Sequence, residues 1–164
     1  MSRFTVVQIF VAIFMMSVIV HAGQFPKIAP SFTLYDVHGK SVSFEEFRGR
    51  VVFLTFWAVW CIPCREELPE LDRLYQKYKK EGFEVIAVSV DSSEAAVENF
   101  LRKIPVSFTV LLDKKSNVND DYGVSGLPIG FIIGKDGNIR FIHKGFGKEF
   151  LPLYEKEIAD LIKQ

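Results

Sequence analysis

The sequence predicts a single α/β domain built on a central mixed sheet with helices on both of its faces. Three observations lead to this fold class. Apolar runs of strand length alternate with segments whose apolar residues recur at helical spacing. Asp136-Gly137 lies between two such runs and predicts a closing β-hairpin. With 164 residues, 49% of them hydrophobic, the chain has the length of one domain and enough apolar side chains for its core.

The first 22 residues differ from the rest of the chain. Residues 4–20 are almost wholly apolar, and Arg3 is the only formal charge in the segment. Val20-His21-Ala22 has the small-residue ending of a signal-peptidase site. We therefore expect residues 1–22 to be a cleaved signal peptide or, alternatively, a retained membrane anchor through residues 4–20, which would be a short membrane-spanning helix. Both alternatives imply export from the cytoplasm.

Two further parts follow this leading segment. Residues 23–31 contain Pro26 and Pro30 and are predicted to be an extended linker. Residues 32–164 are predicted to form the folded domain, without internal repeats or low-complexity stretches.

The strands of this domain are predicted from apolar runs bounded by turn residues. The runs at 51–57 and 83–90 are apolar nearly throughout, as expected for central strands that are covered on both faces. The predicted strands are 32–36, 41–43, 51–57, 83–90, 106–112, 129–133 and 139–143.

The helices are predicted from apolar residues at helical spacing and from capping signals. Ser43 followed by Glu46 fits a capping box and predicts a brief helical turn. The longest helix runs from near Cys61 to about Glu81, contains Pro69 and is closed by Gly82. The other predictions are a helix capped by Ser92 or Ser93, a possible helix at 117–122 and a final helix from about Glu149.

Cys61 and Cys64 are the only cysteines, and both lie in the tetrapeptide Cys61-Ile62-Pro63-Cys64. If a helix begins at Cys61, its first-turn amides and its dipole favour the thiolate at that sulfur. Cys64 follows three residues later on the same face, within reach of a disulfide. We therefore expect Cys61 to attack a disulfide in a partner protein and Cys64 to resolve the mixed disulfide. Pro63 suits the first turn, where an amide hydrogen has no helical acceptor.

Charge and ligand counts limit the alternatives. Twenty basic residues balance 20 acidic ones, so the sequence gives no reason to expect nucleic-acid binding. One Cys-x-x-Cys supplies half of a tetrahedral zinc site, and His38 and His143 lie far from it in sequence and are expected at the surface. We expect no resident metal, and no cofactor besides the redox-active cysteine pair. Two alternatives stay open. One is a metallochaperone-like protein that binds copper(I) through the same pair, and the other is a protein in which the pair forms only a structural disulfide.

The segment Trp57-Ala58-Val59-Trp60-Cys61-Ile62-Pro63-Cys64 resembles the WAxWCxPC active site of the thioredoxin superfamily. Gly39-Lys40, the strand after Gly49 and the Glu-Leu-Pro after the cysteines extend the similarity to exported thioredoxin-like proteins of the TlpA, ResA and DsbE type, over about residues 28–163. This resemblance implies a thioredoxin-like fold with an N-terminal strand extension and an inserted helix–strand unit at 92–119.

The resemblance also implies site residues. The stretch 122–128 is similar to the loop that bears the family's cis-proline, so Pro128 would allow the Leu127 backbone to pair with an extended substrate strand. Trp60, Ile62 and Pro63 would complete the substrate-binding surface. Glu67 matches an acidic residue of the exported reductases and would accept a proton from Cys64 through a raised pKa, whereas an exposed helix glutamate is the alternative.

The sequence departs from the family pattern at Thr55 and at Ile129-Gly130, and Ala58 is an argument against a peroxidase of the peroxiredoxin type. Thr55 stands where thioredoxin has a buried aspartate, so a proton relay needs another group such as Glu67. Ile129-Gly130 follows Pro128 in place of the frequent threonine. Ala58 precedes Cys61 by three residues, and the Thr-x-x-Cys of peroxiredoxin-type peroxidases is therefore absent.

The function implied is that of an exported thiol–disulfide oxidoreductase, in the periplasm or on the extracytoplasmic face of the membrane. The resemblance favours a reductant that passes electrons from a membrane donor to disulfides in apocytochrome c or another client protein, as in cytochrome c maturation.

Overall fold

The computed structural model describes residues 25–164. The signal peptide or anchor expected at residues 1–22 lies outside the described residues. No helix between residue 25 and the C-terminus combines the length and the apolar character needed to cross a bilayer.

Seven strands form one mixed sheet. They are β1 (Thr33–Asp36), β2 (Ser41–Ser43), β3 (Val51–Trp57), β4 (Phe83–Ser89), β5 (Thr109–Leu112), β6 (Ile129–Ile133) and β7 (Ile139–Lys144). Their order in the sheet is β2-β1-β5-β4-β3-β6-β7. The three central strands β3, β4 and β5 run parallel, and the remaining pairs are antiparallel. The predicted mixed sheet is confirmed.

Within residues 25–164, four α-helices and three short 3₁₀ turns accompany the seven strands. The helices are α1 (Ile62–Tyr78), α2 (Glu94–Lys103), α3 (Asn117–Asp121) and α4 (Leu151–Ile162), and the 3₁₀ turns are Phe44–Phe47, Lys79–Glu81 and Lys148–Phe150. The predicted capping signals are confirmed at Ser43 with Glu46, at Ser93, whose side chain accepts from the Ala96 amide, and at Gly82, whose φ is 87°.

β5 begins three residues later than the run of apolar residues predicts. The Ser107 backbone N–H donates to Asp72 Oδ1 at 2.7 Å, and the Ser107 hydroxyl donates to the same oxygen. Because this amide is bound by a helix side chain, it does not enter the ladder, and pairing with β4 starts at Thr109.

The core has one layer on each face of the sheet. All seven residues of β3 are buried, and its side chains alternate between the layers. Phe53 and Trp57 face the layer formed with α1, α2 and α4. Phe56 faces the opposite layer, which is rich in aromatic rings and is closed by the N-terminal segment and α3. The helices therefore lie on both faces, as predicted.

The described part of the predicted linker packs against the domain. Ile28 forms a β-bridge with Asn138, and the Ala29 N–H donates to the Gly137 carbonyl at 3.0 Å. The Phe25 ring lies 5.8 Å from the Phe131 ring, centroid to centroid. Residues 25–31 thus contribute to the folded unit.

Candidate active site

The cysteine pair lies at the carboxyl end of β3, where the chain enters α1. The two sulfurs are joined in a disulfide, with the Cα atoms 5.3 Å apart. Cys61 is the N-cap residue of α1, and its Sγ accepts from the Cys64 backbone N–H at 3.3 Å. Pro63 occupies the first turn, which contains no acidic residue. The positive end of the helix dipole therefore faces the Cys61 sulfur.

The two sulfurs have unequal surroundings. Cys61 is 5% exposed, whereas Cys64 is completely buried. The neighbours of Cys61 in sequence, Trp60 and Ile62, are 70% and 69% exposed. A partner protein can therefore approach Cys61 across an apolar surface, whereas Cys64 exposes no surface that a partner could contact.

The loop before β6 lies at the same end of the sheet. The Leu127–Pro128 peptide bond is cis, and since Phe56 pairs with Ile129, Pro128 is level with the end of β3. Trp60 and Leu127 both line a groove of about 500 Å³, whose lining residues are all uncharged.

Glu67 is completely buried on α1, one helical turn after Cys64. The Thr55 hydroxyl donates to Glu67 Oε2 at 2.8 Å, and Glu67 Oε1 has no partner among the described residues. Burial raises the pKa of Glu67 to about 8, against the opposing effect of the Thr55 hydrogen bond. The alternative of an exposed helix glutamate is wrong, because the helix turns this residue toward β3. Thr55, which stands where thioredoxin has its aspartate, binds the carboxyl group.

The two tryptophans differ in position. Trp57 is fully buried, and its ring centroid lies 5.2 Å from that of Phe100 on α2. Trp57 therefore supports the site from the core, and Trp60 is the tryptophan that a partner would meet.

Asp91 is a site residue that the sequence reasoning missed. Its Oδ2 accepts from the Val59 N–H at 2.8 Å and from the Ser89 hydroxyl at 2.9 Å. Asp91 thus fixes the loop that precedes Cys61. The available signal was positional: β3 and β4 are parallel neighbours, so residues following them meet at one edge of the sheet.

The structure describes two histidines, His38 and His143. His38 is exposed in the β1–β2 turn. His143 differs from the expected surface histidine, because its side chain is only 12% exposed and its Nε2 lies 2.7 Å from Glu157 Oε2. Among residues 25–164, no group of three or more His, Cys, Asp or Glu side chains could hold a metal ion.

Comparisons with known proteins agree with this geometry. The model of the AhpC/TSA family matches residues 26–142. A thiol-disulfide oxidoreductase ResA of Bacillus thuringiensis is 42% identical over 134 residues, which are 81% of this chain and 78% of the relative.

Two solved structures have the same fold. A Chlorobium tepidum protein assigned as thiol:disulfide interchange protein DsbE superposes with a TM-score of 0.81 at 36% identity, covering 84% of this chain and 97% of that one. A thiol-disulfide oxidoreductase from Bacteroides fragilis gives a TM-score of 0.70 at 32% identity, covering 80% of this chain and 99% of that one.

The match to the family model spans most of the domain. The two solved structures share its fold, and the names of these proteins and of the ResA relative refer to thiol–disulfide chemistry. The chain therefore belongs to the AhpC/TSA family, with a thioredoxin-like fold, and is a thiol–disulfide oxidoreductase of the ResA/DsbE type.

Proposed function

We propose that this oxidoreductase is an exported reductant of protein disulfides, of the kind needed for cytochrome c maturation. The observation that carries the proposal is the asymmetry of the cysteine pair. Cys61 lies at a helix N-terminus beside exposed apolar side chains, while Cys64 is buried one turn from a carboxyl group whose pKa is raised.

The first step is attack of the Cys61 thiolate on a client disulfide. The N-terminus of α1 stabilises the negative charge on Cys61 Sγ through its dipole and its amides. The Cys61–client S–S bond forms, the client S–S bond breaks, and the departing client thiolate takes a proton from water.

The second step is attack of Cys64 on the mixed disulfide. The buried Cys64 thiol first gives its proton to Glu67 in those molecules whose Glu67 is deprotonated, which are a minority at pH 7 because burial raises the pKa of Glu67 to about 8. No other carboxyl group of α1 is fully buried. Cys64 Sγ then bonds to Cys61 Sγ, the Cys61–client S–S bond breaks, and the second client thiolate leaves and takes a proton from water. The client gains two electrons and two protons, and the protein returns to the disulfide form.

Client binding is assigned to the surface around Cys61. An extended client segment would pair with the Leu127 backbone beside cis-Pro128, as a strand added to the sheet. Trp60, Ile62 and Pro63 would contact the client side chains that flank its cysteine. The uncharged groove between Trp60 and Leu127 favours a neutral client segment over a charged one.

Export rests on the leading apolar segment, residues 4–20, and on the ending Val20-His21-Ala22. An oxidising compartment keeps an ordinary cysteine pair as a disulfide. A reductant there needs a membrane thiol–disulfide donor that supplies two electrons to Cys61–Cys64 after each turnover. The clients include apocytochrome c in this proposal.

The test is a Cys64→Ser variant of the full-length chain, expressed in the source organism. This variant cannot resolve the mixed disulfide, so clients stay linked to Cys61 and are identified after non-reducing electrophoresis and mass spectrometry. The Cys61→Ser variant is the matched control and should trap no client through position 61.

Capture of apocytochrome c would support the maturation role. Absence of any trapped client, with a Cys61 that still reacts with alkylating reagents, would contradict the proposal. A reduced protein that binds copper(I) stoichiometrically and reduces no protein disulfide would favour the metallochaperone-like alternative.

A further inference from the structure

The buried carboxyl group of Glu67 lacks direct contact with solvent, although its proposed role requires it to exchange a proton at each turnover. Glu67 Oε1 and Tyr154 Oη are both buried without a hydrogen-bond partner among the described residues. Buried polar atoms nearly always bind a protein group or an ordered water molecule. Trp57 Nε1 on the same face is a third such atom. The charge of Glu67 raises the pKa of Tyr154, so Glu67 and Tyr154 lie near each other and are the two candidates for a shared partner.

The sheet register places Thr55, Gly130 and His143 along one row. Thr55, which binds Glu67, pairs with Gly130 on β6, and Gly130 pairs with His143 on β7. Paired residues of neighbouring strands point to the same face, and strands lie about 4.8 Å apart. His143 is therefore two strands, or about 10 Å, from Thr55 on the same face.

Tyr154 on α4 covers the span between them. Its ring centroid lies 5.1 Å from that of Phe53 and 4.5 Å from that of His143. Gly130 leaves room for this packing, since a Cβ at that position would lie 2.7 Å from the Phe53 ring. The phenol of Tyr154 thus lies over the row that leads from Thr55 to His143.

The far end of the row reaches the surface. His143 Nε2 lies 2.7 Å from Glu157 Oε2, and the two side chains are 12% and 10% exposed. This pair combines partial access to water with an imidazole and a carboxyl group, both of which can donate and accept protons.

The ionisable groups around Glu67 are few. α1 contributes Cys64, α4 contributes Tyr154 and Glu157, and β7 contributes His143. β3 contributes no ionisable group, and its Thr55 hydroxyl donates to Glu67. Burial raises the pKa of Tyr154, and the charges of Glu67 and Glu157 raise it further. The phenol therefore stays protonated and acts as a hydroxyl relay that accepts one proton as it donates another.

We propose that Tyr154 and the His143–Glu157 pair form the proton route between Glu67 and solvent. Since Tyr154 Oη has no hydrogen-bond partner among the described residues, water joins it on one side to Glu67 Oε1 and on the other side to the His143–Glu157 pair. That pair exchanges the proton with bulk water. The inference rests on the proposed role of Glu67 as the proton acceptor for Cys64. A proton that leaves the Cys64 thiol crosses to the surface, and Tyr154 is unchanged at the end.

The experiment follows the reduced protein as it reacts with the aromatic disulfide dithiobis(nitrobenzoate). The first release of coloured thiolate reports attack by Cys61, and the second reports resolution by Cys64. We expect Tyr154→Phe to slow the second release about tenfold at neutral pH, less than the roughly hundredfold cost of losing the general base itself. The first release should keep its rate, since it needs no proton from Glu67.

The pH profile separates a relay from mere packing. In Tyr154→Phe the second release should lose its wild-type pH dependence, because proton transfer from Glu67 becomes limiting. The matched control is Tyr78→Phe, which removes a hydroxyl that donates to Glu155 on the other side of α4. This control should leave both rates and the pH profile unchanged.

His143→Ala gives a second, independent readout. Removing the imidazole from a slightly exposed position leaves space that dissolved imidazole can enter. We expect added imidazole to restore the second release in His143→Ala and to have no effect in Tyr154→Phe.

The outcomes distinguish the relay from the proposed function. If Glu67→Gln slows the second release and Tyr154→Phe leaves it unchanged at every pH, the relay is wrong and the proposed function stands. If Glu67→Gln leaves the second release unchanged, the proton role of Glu67 is wrong, and the relay falls with it.

Discussion

The residues that flank the disulfide at the surface differ in their contact with water from those that lie beneath it, although both groups come from one short chain segment. We call the first group the rim and the second group the floor. The rim consists of Trp60 and Ile62, which are about 70% exposed. The floor consists of Thr55, Cys64 and Glu67, all of them fully buried. The helix α1 accounts for much of the difference, because its first turn directs Ile62 outward and Cys64 inward. In the proposed function, the rim contacts the client and the floor holds the proton.

The largest expected effect concerns the floor and its pH dependence. Since the pKa of Glu67 is raised to about 8 in the folded protein, the folded state keeps a proton that the unfolded chain releases above its ordinary pKa. The free energy of unfolding therefore falls as pH rises through this window, by about 1.4 kcal/mol per pH unit from this group. Glu67→Gln should remove that loss, so the variant becomes more stable than wild type toward pH 8.

Denaturant unfolding of the oxidised protein at several pH values measures this difference. Glu66→Gln, at the exposed neighbouring position on α1, controls for the change in helix charge and should follow the wild-type curve. Parallel curves for Glu67→Gln and wild type would show that the floor does not hold a proton against solvent.

A smaller effect is expected from crowding Phe53, which lies on the same strand as Thr55 of the floor. Gly130→Ala places a Cβ 2.7 Å from Phe53 Cε1 and Cζ, and such overpacking costs about 1–3 kcal/mol of stability. Gly126→Ala is the matched control, because nothing lies within 4 Å of its added Cβ. Thermal unfolding of the two variants compares them, and equal stability would contradict the close packing of Phe53 on β6.

The smallest effect on the fold is expected at the rim. Trp60→Ala should weaken the apparent affinity for a client peptide disulfide by about 1–2 kcal/mol, as truncation of an exposed aromatic anchor does. The free energy of unfolding should stay within about 0.5 kcal/mol of wild type.

The matched control for the rim is Tyr35→Ala, which removes a similarly exposed aromatic ring, 63% exposed, on β1. Its client affinity should equal that of wild type. A Trp60→Ala variant with unchanged affinity and altered stability would reverse the assignment of rim and floor.

Much of the fold could be predicted from local patterns. The apolar runs of β3 and β4 and the capping signals at Ser43 and Gly82 depend on residues close together in sequence, and they match the structure. The start of β5 differs because the Ser107 amide is bound by Asp72 from a distant helix. No local pattern contains that contact.

The candidate site was predictable in part. The spacing of Cys61 and Cys64 and the nature of their surroundings follow from the motif and the helix that starts there. Whether Glu67 is buried depends on how α1 packs on β3, and the roles of Asp91 and His143 depend on strand neighbours. Those contacts join residues that are far apart in sequence, and a single sequence does not reveal them.

The distance of 5.3 Å between the Cys61 and Cys64 Cα atoms also limits how long each client stays bound as a mixed disulfide. Groups held this close react as if one were present at a concentration that no dissolved thiol can reach. A client that reaches the mixed-disulfide stage is therefore released by Cys64 before a small thiol from solution intercepts it. The spacing of the two cysteines therefore limits the lifetime of the mixed disulfide, and Cys64→Ser removes that limit.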